Sequence, residues 1–216
     1  EFSVFTSAIE NGGSVRAIVA KNGASVLTRK EIDKLTEHAK GIGAKGLAYV
    51  RWVDDAPACS FAKFMKEEEL SAIYERLGAE KGDVILIVAD KNSTVLSTLG
   101  ALRLKVAKQL DIIPEDKFNF LWITEFPFFE WNEETQHWDA MHHPFTMPMD
   151  ECLEYLDTDP GKVKAKAYDL VLNGVELSSG SIRITDFELQ QRMFRALGLT
   201  DEEIEKKYTD NVRYFE

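Results

Sequence analysis

A change in the pattern of apolar residues near Pro114 most constrains how this chain can fold. Before that point, short apolar segments typical of strands alternate with longer segments whose apolar residues recur at helical spacing. After it, the sequence is rich in β-branched and aromatic residues, which strands favour, and amphipathic helices follow at the end. We therefore predict an α+β protein with two domains, residues 1–115 and residues 116–216.

The predicted helices carry recognisable start signals and inner faces. In "TRKE", Thr28 can cap a helix while Glu31 accepts from the Thr28 amide, and "TDEE", from Thr200 to Glu203, repeats this capping pattern before the last helix. The longest predicted helix, "NSTVLSTLGALRLKVAKQL", presents one apolar face that we expect to be core, formed by Val95, Leu99, Leu102, Val106 and Leu110.

Composition and charge exclude some classes of protein. The formal net charge of −11 argues against a surface that tracks nucleic-acid phosphates, because such binding needs clustered lysine and arginine. No apolar run approaches the roughly 20 residues needed to span a bilayer, so we expect neither a membrane nor DNA as a partner. Cys59 and Cys152 lie far apart without a second cysteine at metal-binding spacing, which favours a reducing compartment and a cytoplasmic protein.

The segment "YDLVLNGVELSSGSIRI" holds the first candidate for ligand binding. It is predicted as one long strand bent at its glycines and serines, with Ile182 and Ile184 on one face and Ser181 and Arg183 on the other. An arginine on an outer strand face is commonly only solvated. However, the small residues before Arg183 would leave open space above the sheet, and a guanidinium offers a planar fork that suits a carboxylate or a phosphate.

Asp169 and Glu176 form a second candidate pair in the same segment. Residues seven apart in a flat strand point to opposite faces, so the two carboxylates would meet only if the chain bends or bulges at Asn173 and Gly174. If they meet, two hard oxygen ligands suit Mg²⁺ that carries a nucleotide. The alternative is a pair of surface acids in an acidic protein.

Two adjacent histidines, His142 and His143, precede Pro144 in "AMHHPFT". Neighbouring residues of an extended segment face opposite ways, so at most one imidazole points readily into a given pocket, and a two-histidine metal site is disfavoured. We expect one histidine to contact a ligand and the other to make a buried hydrogen bond, unless both only anchor the turn. The sequence contains neither a glycine-rich phosphate loop nor a nucleophile elbow.

Several segments, read in order, carry a family resemblance. In the second domain, "FLWITEFPFFEW", "AMHHPFT", "AYDLVLNGVELSSGSIRI" and "QQRMFRALGL" resemble the bacterial aspartyl-tRNA synthetases, a family of class II aminoacyl-tRNA ligases. In the first, "ASVLTRKEID", "GAKGLAYV" and "LGALRLKVAKQL" resemble the GAD domain that bacterial members insert into their catalytic domain. The resemblance implies a GAD-type α/β insertion domain, followed by part of a class II antiparallel sheet with flanking helices.

The resemblance also implies ligands and roles for the candidate residues. Arg183 matches the arginine that holds the side-chain carboxylate of L-aspartate, and His142, with His143 beside it, matches a histidine of the same pocket. Glu176 matches the acidic residue at the ATP site, and Asp169 matches its partner in holding Mg²⁺. The implied substrates are L-aspartate, ATP and tRNA, and no side chain is expected to act as a nucleophile.

Family motifs expected on both sides of this region, and the anticodon-binding barrel, are not found in the sequence. The chain also begins with Glu1 rather than methionine and ends in "NVRYFE", without a polar tail. We therefore expect an internal, inactive and monomeric fragment of an enzyme that is itself a homodimer. Two other hypotheses stay open: a GAD-containing subunit of a tRNA-dependent amidotransferase, which would need no aspartate pocket, and, less well supported, a histidine-dependent metal hydrolase.

Overall fold

The computed structural model describes residues 2–212, with only the helical backbone for residues 207–212. The final "RYFE", which contributed to the expectation of a longer polypeptide, lies outside the described residues. The chain divides after Glu115 into two compact units. Each combines helices with antiparallel strand pairs, so the predicted α+β class is confirmed.

The helices and strands follow one another in a mixed order in both units. Those of the first unit are α1 (Ser3–Glu10), β1 (Ser14–Ala20), α2 (Arg29–Ile42), β2 (Ala48–Arg51), β3 (Ala58–Cys59), α3 (Glu67–Leu77), β4 (Val84–Asp90) and α4 (Asn92–Gln109). Those of the second unit are β5 (Phe120–Pro127), β6 (Phe129–Asn132), β7 (His137–Ala140), β8 (Lys164–Leu172), β9 (Val175–Ser181), α5 (Phe187–Ala196) and α6 (Asp201–Val212). None of the helices within residues 2–212 has the length and apolar character that crossing a bilayer requires.

Strand β4 is the buried centre of the first unit, whose antiparallel sheet has the order β1-β4-β2-β3. Val84, Leu86 and Val88 pack with α2 and α4. Ile85 and Ile87 pack on the other face with α1 and α3. Because helices cover both faces, β4 is a continuous apolar run rather than an alternating one. The inner face predicted for α4 is confirmed, since all its members pack in this core: Val95, Leu99, Leu102, Val106 and Leu110.

The two capping predictions have different outcomes. α2 begins directly after Thr28 as predicted, but the predicted side-chain cap is wrong, since Thr28 makes no capping hydrogen bond and Glu31 instead pairs with Lys34 at 2.7 Å. That partner competes with the Thr28 amide for the carboxylate. Before α6 the pattern is confirmed: the Thr200 amide donates to Glu203 Oε2 at 2.9 Å, and the Glu203 amide donates to Thr200 Oγ1 at 3.3 Å.

The segment that holds β8 and β9 is a hairpin, so the prediction of one long bent strand is wrong. The two strands pair around Asn173 and Gly174, whose φ angles are 50° and 84°. A two-residue turn with both φ angles positive matches the twist of the flanking strands and favours Asn-Gly. The side chain of Asn173 also ties the turn to the segment before β5, because it accepts from the Asn119 amide at 2.9 Å and donates to the Lys117 carbonyl at 2.8 Å.

The sheet of the second unit has the order β5-β8-β9, and β6 and β7 pair as a separate hairpin. The extended segment after the two histidines joins the end of this sheet, since Thr146 bridges to Arg183 and Pro148 bridges to Ala165. Helix α5 contributes Leu189 and Met193 to the core beneath that end. The candidate histidines and Arg183 are thereby brought to the same part of the unit.

Candidate functional site

The hairpin turn places both candidate acids on one face of the sheet. Across the turn, Val171 of β8 lies opposite Glu176 of β9. Asp169 lies two residues from Val171 and therefore shares its face. The bend on which the sequence argument depended is present as the turn at Asn173 and Gly174, and Asp169 and Glu176 lie on the same face.

A β-bulge in β9 then brings Arg183 to the same face as these acids. The ladder shifts by one residue between Glu176 and Ser178, which leaves Leu177 as an extra residue on β9. A shift of one residue exchanges the faces of all the side chains that follow. Arg183, seven residues after Glu176, therefore lies on the face of Glu176, whereas an unbroken strand would separate them.

The side chain of Arg183 contacts one of the two candidate histidines. Its Nη1 lies 3.1 Å from Nδ1 of His143. The Phe145 amide donates to the same ring nitrogen at 3.3 Å. Because Nδ1 accepts from two donors, the proton of the neutral ring lies on Nε2.

The surroundings of His143 favour its neutral form. Partial burial lowers the pKa of His143, because it penalises the charged imidazolium, and the positive charge of Arg183 lowers the pKa further. The imidazole also stacks on the Phe145 ring, with 5.0 Å between the ring centroids. A neutral His143 is thus a hydrogen-bond acceptor that orients the guanidinium of Arg183.

His142 faces away from this contact. Its ring packs edge-on against Phe126 of β5, with 4.9 Å between the centroids. The neighbouring histidines diverge, as expected for an extended backbone. Both are exposed, so the prediction that one of them makes a buried hydrogen bond is wrong: the contacts of His143 are made at an exposed side chain. Within residues 2–206, no group of three or more His, Cys, Asp or Glu side chains is arranged to hold a metal ion, so the metal-hydrolase hypothesis gains no support.

Small side chains occupy the face between the acids and Arg183. Ser179 lies opposite Asp169, and Ser181 follows two residues later, with its Oγ 3.5 Å from Thr146 Oγ1. These hydroxyls are too short to fill the space above the strands, so a ligand can approach the guanidinium. The arrangement therefore offers a planar cation, carboxylates and hydroxyl groups around an open surface.

Gln190 contacts the histidine loop beside this site and was not predicted from the sequence. It is fully buried in α5, and its Nε2 donates to the carbonyl of Pro144 at 2.9 Å. The sequence does contain a signal for its role, because Gln190 occupies the same helix face as the apolar residues Leu189, Met193 and Phe194. A polar residue on an apolar helix face needs a hydrogen-bond partner, and here that partner is in the histidine loop.

Comparison with known proteins agrees with the two-part organisation. The family model described as "GAD domain" matches residues 5–99. An aspartate–tRNA ligase of Clostridium acetobutylicum is 56% identical over 210 residues, which is 97% of this chain and 35% of the relative. Aspartate–tRNA ligases of Ruminiclostridium cellulolyticum and Clostridium beijerinckii are 57% and 56% identical, each over 96% of this chain and 35% of the relative.

The chain spans about a third of the length of these curated relatives. The similarity extends over both units rather than over the GAD match alone. Residues 5–99 are therefore similar to a GAD domain, and the whole chain is similar to one part of the bacterial aspartate–tRNA ligases.

Proposed function

We propose that this chain is an internal part of a bacterial-type aspartate–tRNA ligase, an enzyme that uses ATP to activate L-aspartate and then transfers it to tRNA. The similarity to such ligases over 97% of the chain supports the reaction class. The position of Arg183 carries the assignment of the site, because the bulge in β9 puts its guanidinium on the same face as Glu176. The amidotransferase-subunit alternative has no comparable support, since it would not need this site.

Arg183 is proposed to hold the side-chain carboxylate of L-aspartate. Its planar fork can donate two parallel hydrogen bonds to a carboxylate. L-asparagine would present an amide NH₂ group to those donors, so the same contact discriminates between the two amino acids. His143 orients the guanidinium by accepting from Nη1, and His142 contributes to the neighbouring wall of the pocket beside Phe126.

Glu176 and Asp169 are proposed to serve the ATP end of the site. Glu176 is assigned to ATP and, with Asp169, to Mg²⁺, because two carboxylates on one face fit an ion that takes one or two protein carboxylates together with phosphate oxygens. When bound, Mg²⁺ would offset negative charge on the phosphates of ATP. The side chains of the chain itself bind and orient the substrates, and we assign no nucleophile among them.

The properties of the whole enzyme are part of the same proposal. The intact ligase is expected to be a cytoplasmic homodimer with L-aspartate, ATP and tRNA as its partners, and this chain alone is expected to be monomeric. The chain alone is also expected to be inactive, because activation of aspartate requires the ATP-binding motifs that the family carries outside this region.

A chimeric enzyme tests the function. This chain would replace the matching third of the Clostridium acetobutylicum relative, and aspartate-dependent exchange of pyrophosphate into ATP would be measured. The chimera should be active, whereas this chain alone should show no exchange. In the chimera, Arg183→Lys should lower kcat/KM for aspartate by about a hundredfold or more, because a lysine cannot replace the guanidinium fork.

Arg103→Lys is the matched control, since Arg103 is exposed in α4 of the first unit and the same substitution there should leave exchange unchanged. An inactive chimera with an intact fold, or an Arg183→Lys chimera as active as its parent, would rule out the proposed role of this site.

A further inference from the structure

The position of Gln190 in its helix does not explain why a polar side chain is fully buried there. Its side chain is fully buried, yet its Oε1 has no hydrogen-bond partner within the described residues. Leaving a buried acceptor unpaired is unfavourable, so an apolar residue of similar size would be expected at this position if packing alone mattered. What the glutamine adds is its NH₂ group, which donates to the Pro144 carbonyl.

The Pro144 carbonyl lies in a turn that determines where His143 points. The Thr146 amide donates to the His143 carbonyl at 2.8 Å, and the Ile184 amide donates to the Phe145 carbonyl at 2.9 Å. The bond from Gln190 holds the peptide between these two, from a helix whose position is fixed by core contacts. Each of three consecutive carbonyl groups in the turn is thus held by a separate donor.

We propose that Gln190 is a positioning residue for the aspartate site, which by holding the Pro144 carbonyl keeps His143 in place to orient Arg183. This inference rests on the proposed function for the role of Arg183 as the aspartate-binding group. Gln190 itself touches neither the proposed substrate nor Arg183, and it acts through the turn and the imidazole. Without its amide donor, the turn would be free to move and the contact between His143 Nδ1 and Arg183 would loosen.

The test uses Gln190→Met, which keeps the length of the side chain but removes the donor, and Gln191→Met as the control at the neighbouring, half-buried position. Histidine-resolved NMR titration of this chain should show the pKa of His143 moving up toward its usual value in Gln190→Met and staying in place in Gln191→Met. In the chimeric ligase, Gln190→Met should raise KM for aspartate by up to about tenfold with KM for ATP almost unchanged.

An unchanged titration of His143 in a folded Gln190→Met chain would overturn the proposal, as would equal increases in KM for aspartate and ATP. If the variant does not fold, hydrogen exchange in the wild-type chain tests the bond to Pro144 instead. The Nε2 protons of Gln190 should exchange with solvent far more slowly than those of the exposed Gln136. Equal exchange rates would contradict the bond to Pro144. An inactive wild-type chimera would instead count against the proposed function, and the NMR results on this chain do not depend on it.

Discussion

A single ring nitrogen couples the charge of His143 to the orientation of Arg183. Nδ1 accepts from the Phe145 amide and contacts the guanidinium, so protonation of that nitrogen would turn an acceptor into a donor beside a cation. The folded chain therefore favours the neutral imidazole. At low pH the contact that orients Arg183 should be lost. The orientation of Arg183 in the proposed site should therefore depend on pH through His143.

Replacing Arg183 with glutamine should raise the pKa of His143 toward its usual value of 6.5 without reaching it, since the burial that is the larger cause stays in place. The unfolded chain binds more protons than the folded one between the lowered pKa and 6.5. His143 thus contributes stability that is present above 6.5 and is lost as the pH falls through the lowered value. NMR titration of His143 measures this pKa, and Arg103→Gln is the control, which should leave it unchanged. If His143 titrates identically in Arg183→Gln and in the wild-type chain, its pKa does not depend on Arg183.

Tyr74 of α3 should make the first unit less stable at alkaline pH. Burial, and next the negative charge that Cys59 carries when ionised, raise the pKa of Tyr74 to about 12 from a usual value of 10. Between these values the unfolded chain has lost a proton that the folded chain keeps, so the free energy of unfolding falls as the pH rises from 10 to about 12. Denaturant unfolding across this range measures the fall.

The Tyr74→Phe variant should lack this part of the pH dependence, because it has no hydroxyl to ionise. Tyr155→Phe in the second unit is the control and should follow the wild-type chain. If the curves of Tyr74→Phe and wild type run parallel above pH 10, the hydroxyl is not held in its protonated form by the fold.

Within the β8–β9 hairpin, the bulge determines which side chains share the face of the proposed site. Deleting Leu177 removes the extra residue, so the regular ladder should turn Arg183 to the opposite face of the sheet. We expect the contact with His143 to disappear and the chimeric ligase to lose aspartate-dependent exchange. Both the pKa of His143 and the exchange rate measure the outcome.

Leu177→Ser is the matched control for that deletion, because it keeps the length of β9. Leu177 is 51% exposed, so the substitution should change the free energy of unfolding by no more than about 0.5 kcal/mol and leave exchange intact. A deletion variant that still exchanges pyrophosphate would show that the end of the sheet fixes Arg183 independently of the bulge.

Periodicity and turn signals predicted α2 and α4 of the first unit, because each of these helices has one buried face that packs on β4. They did not predict the β8–β9 hairpin of the second unit, because strand pairing rather than local propensity determines it. The alternation from Tyr168 to Ile184 is the same for one bent strand and for a hairpin, and the bulge at Leu177 exists only relative to β8. The role of Gln190 likewise depends on a loop 46 residues away.

At the scale of the whole chain, the two faces of the β5-β8-β9 sheet differ in character. One carries Asp169, Glu176 and Arg183, with Leu121 and Ile123 of β5 beside the acids, and the register places on the other face a second apolar set, formed by Phe120, Trp122, Leu170, Leu172 and Val175. Trp122 is 60% exposed on that second face and Val175 is 63% exposed. Exposed apolar patches of this kind mark surfaces that another part of a protein covers. Since the relatives are about three times as long as this chain, the rest of the ligase is the expected cover.

The double substitution of Trp122 and Val175 by serine should therefore act differently in the two settings. In this chain alone it should weaken binding of a dye that fluoresces on apolar surface, while the melting temperature stays nearly constant because both side chains are already exposed. In the chimeric ligase, where the face is expected to be buried, it should lower the free energy of unfolding by about 3–5 kcal/mol or more. Leu104→Ser, at a 52% exposed position in α4, is the control and should change neither quantity. If the double substitution leaves the stability of the chimera as unaffected as that of the chain alone, the apolar face is not where the remainder of the ligase packs.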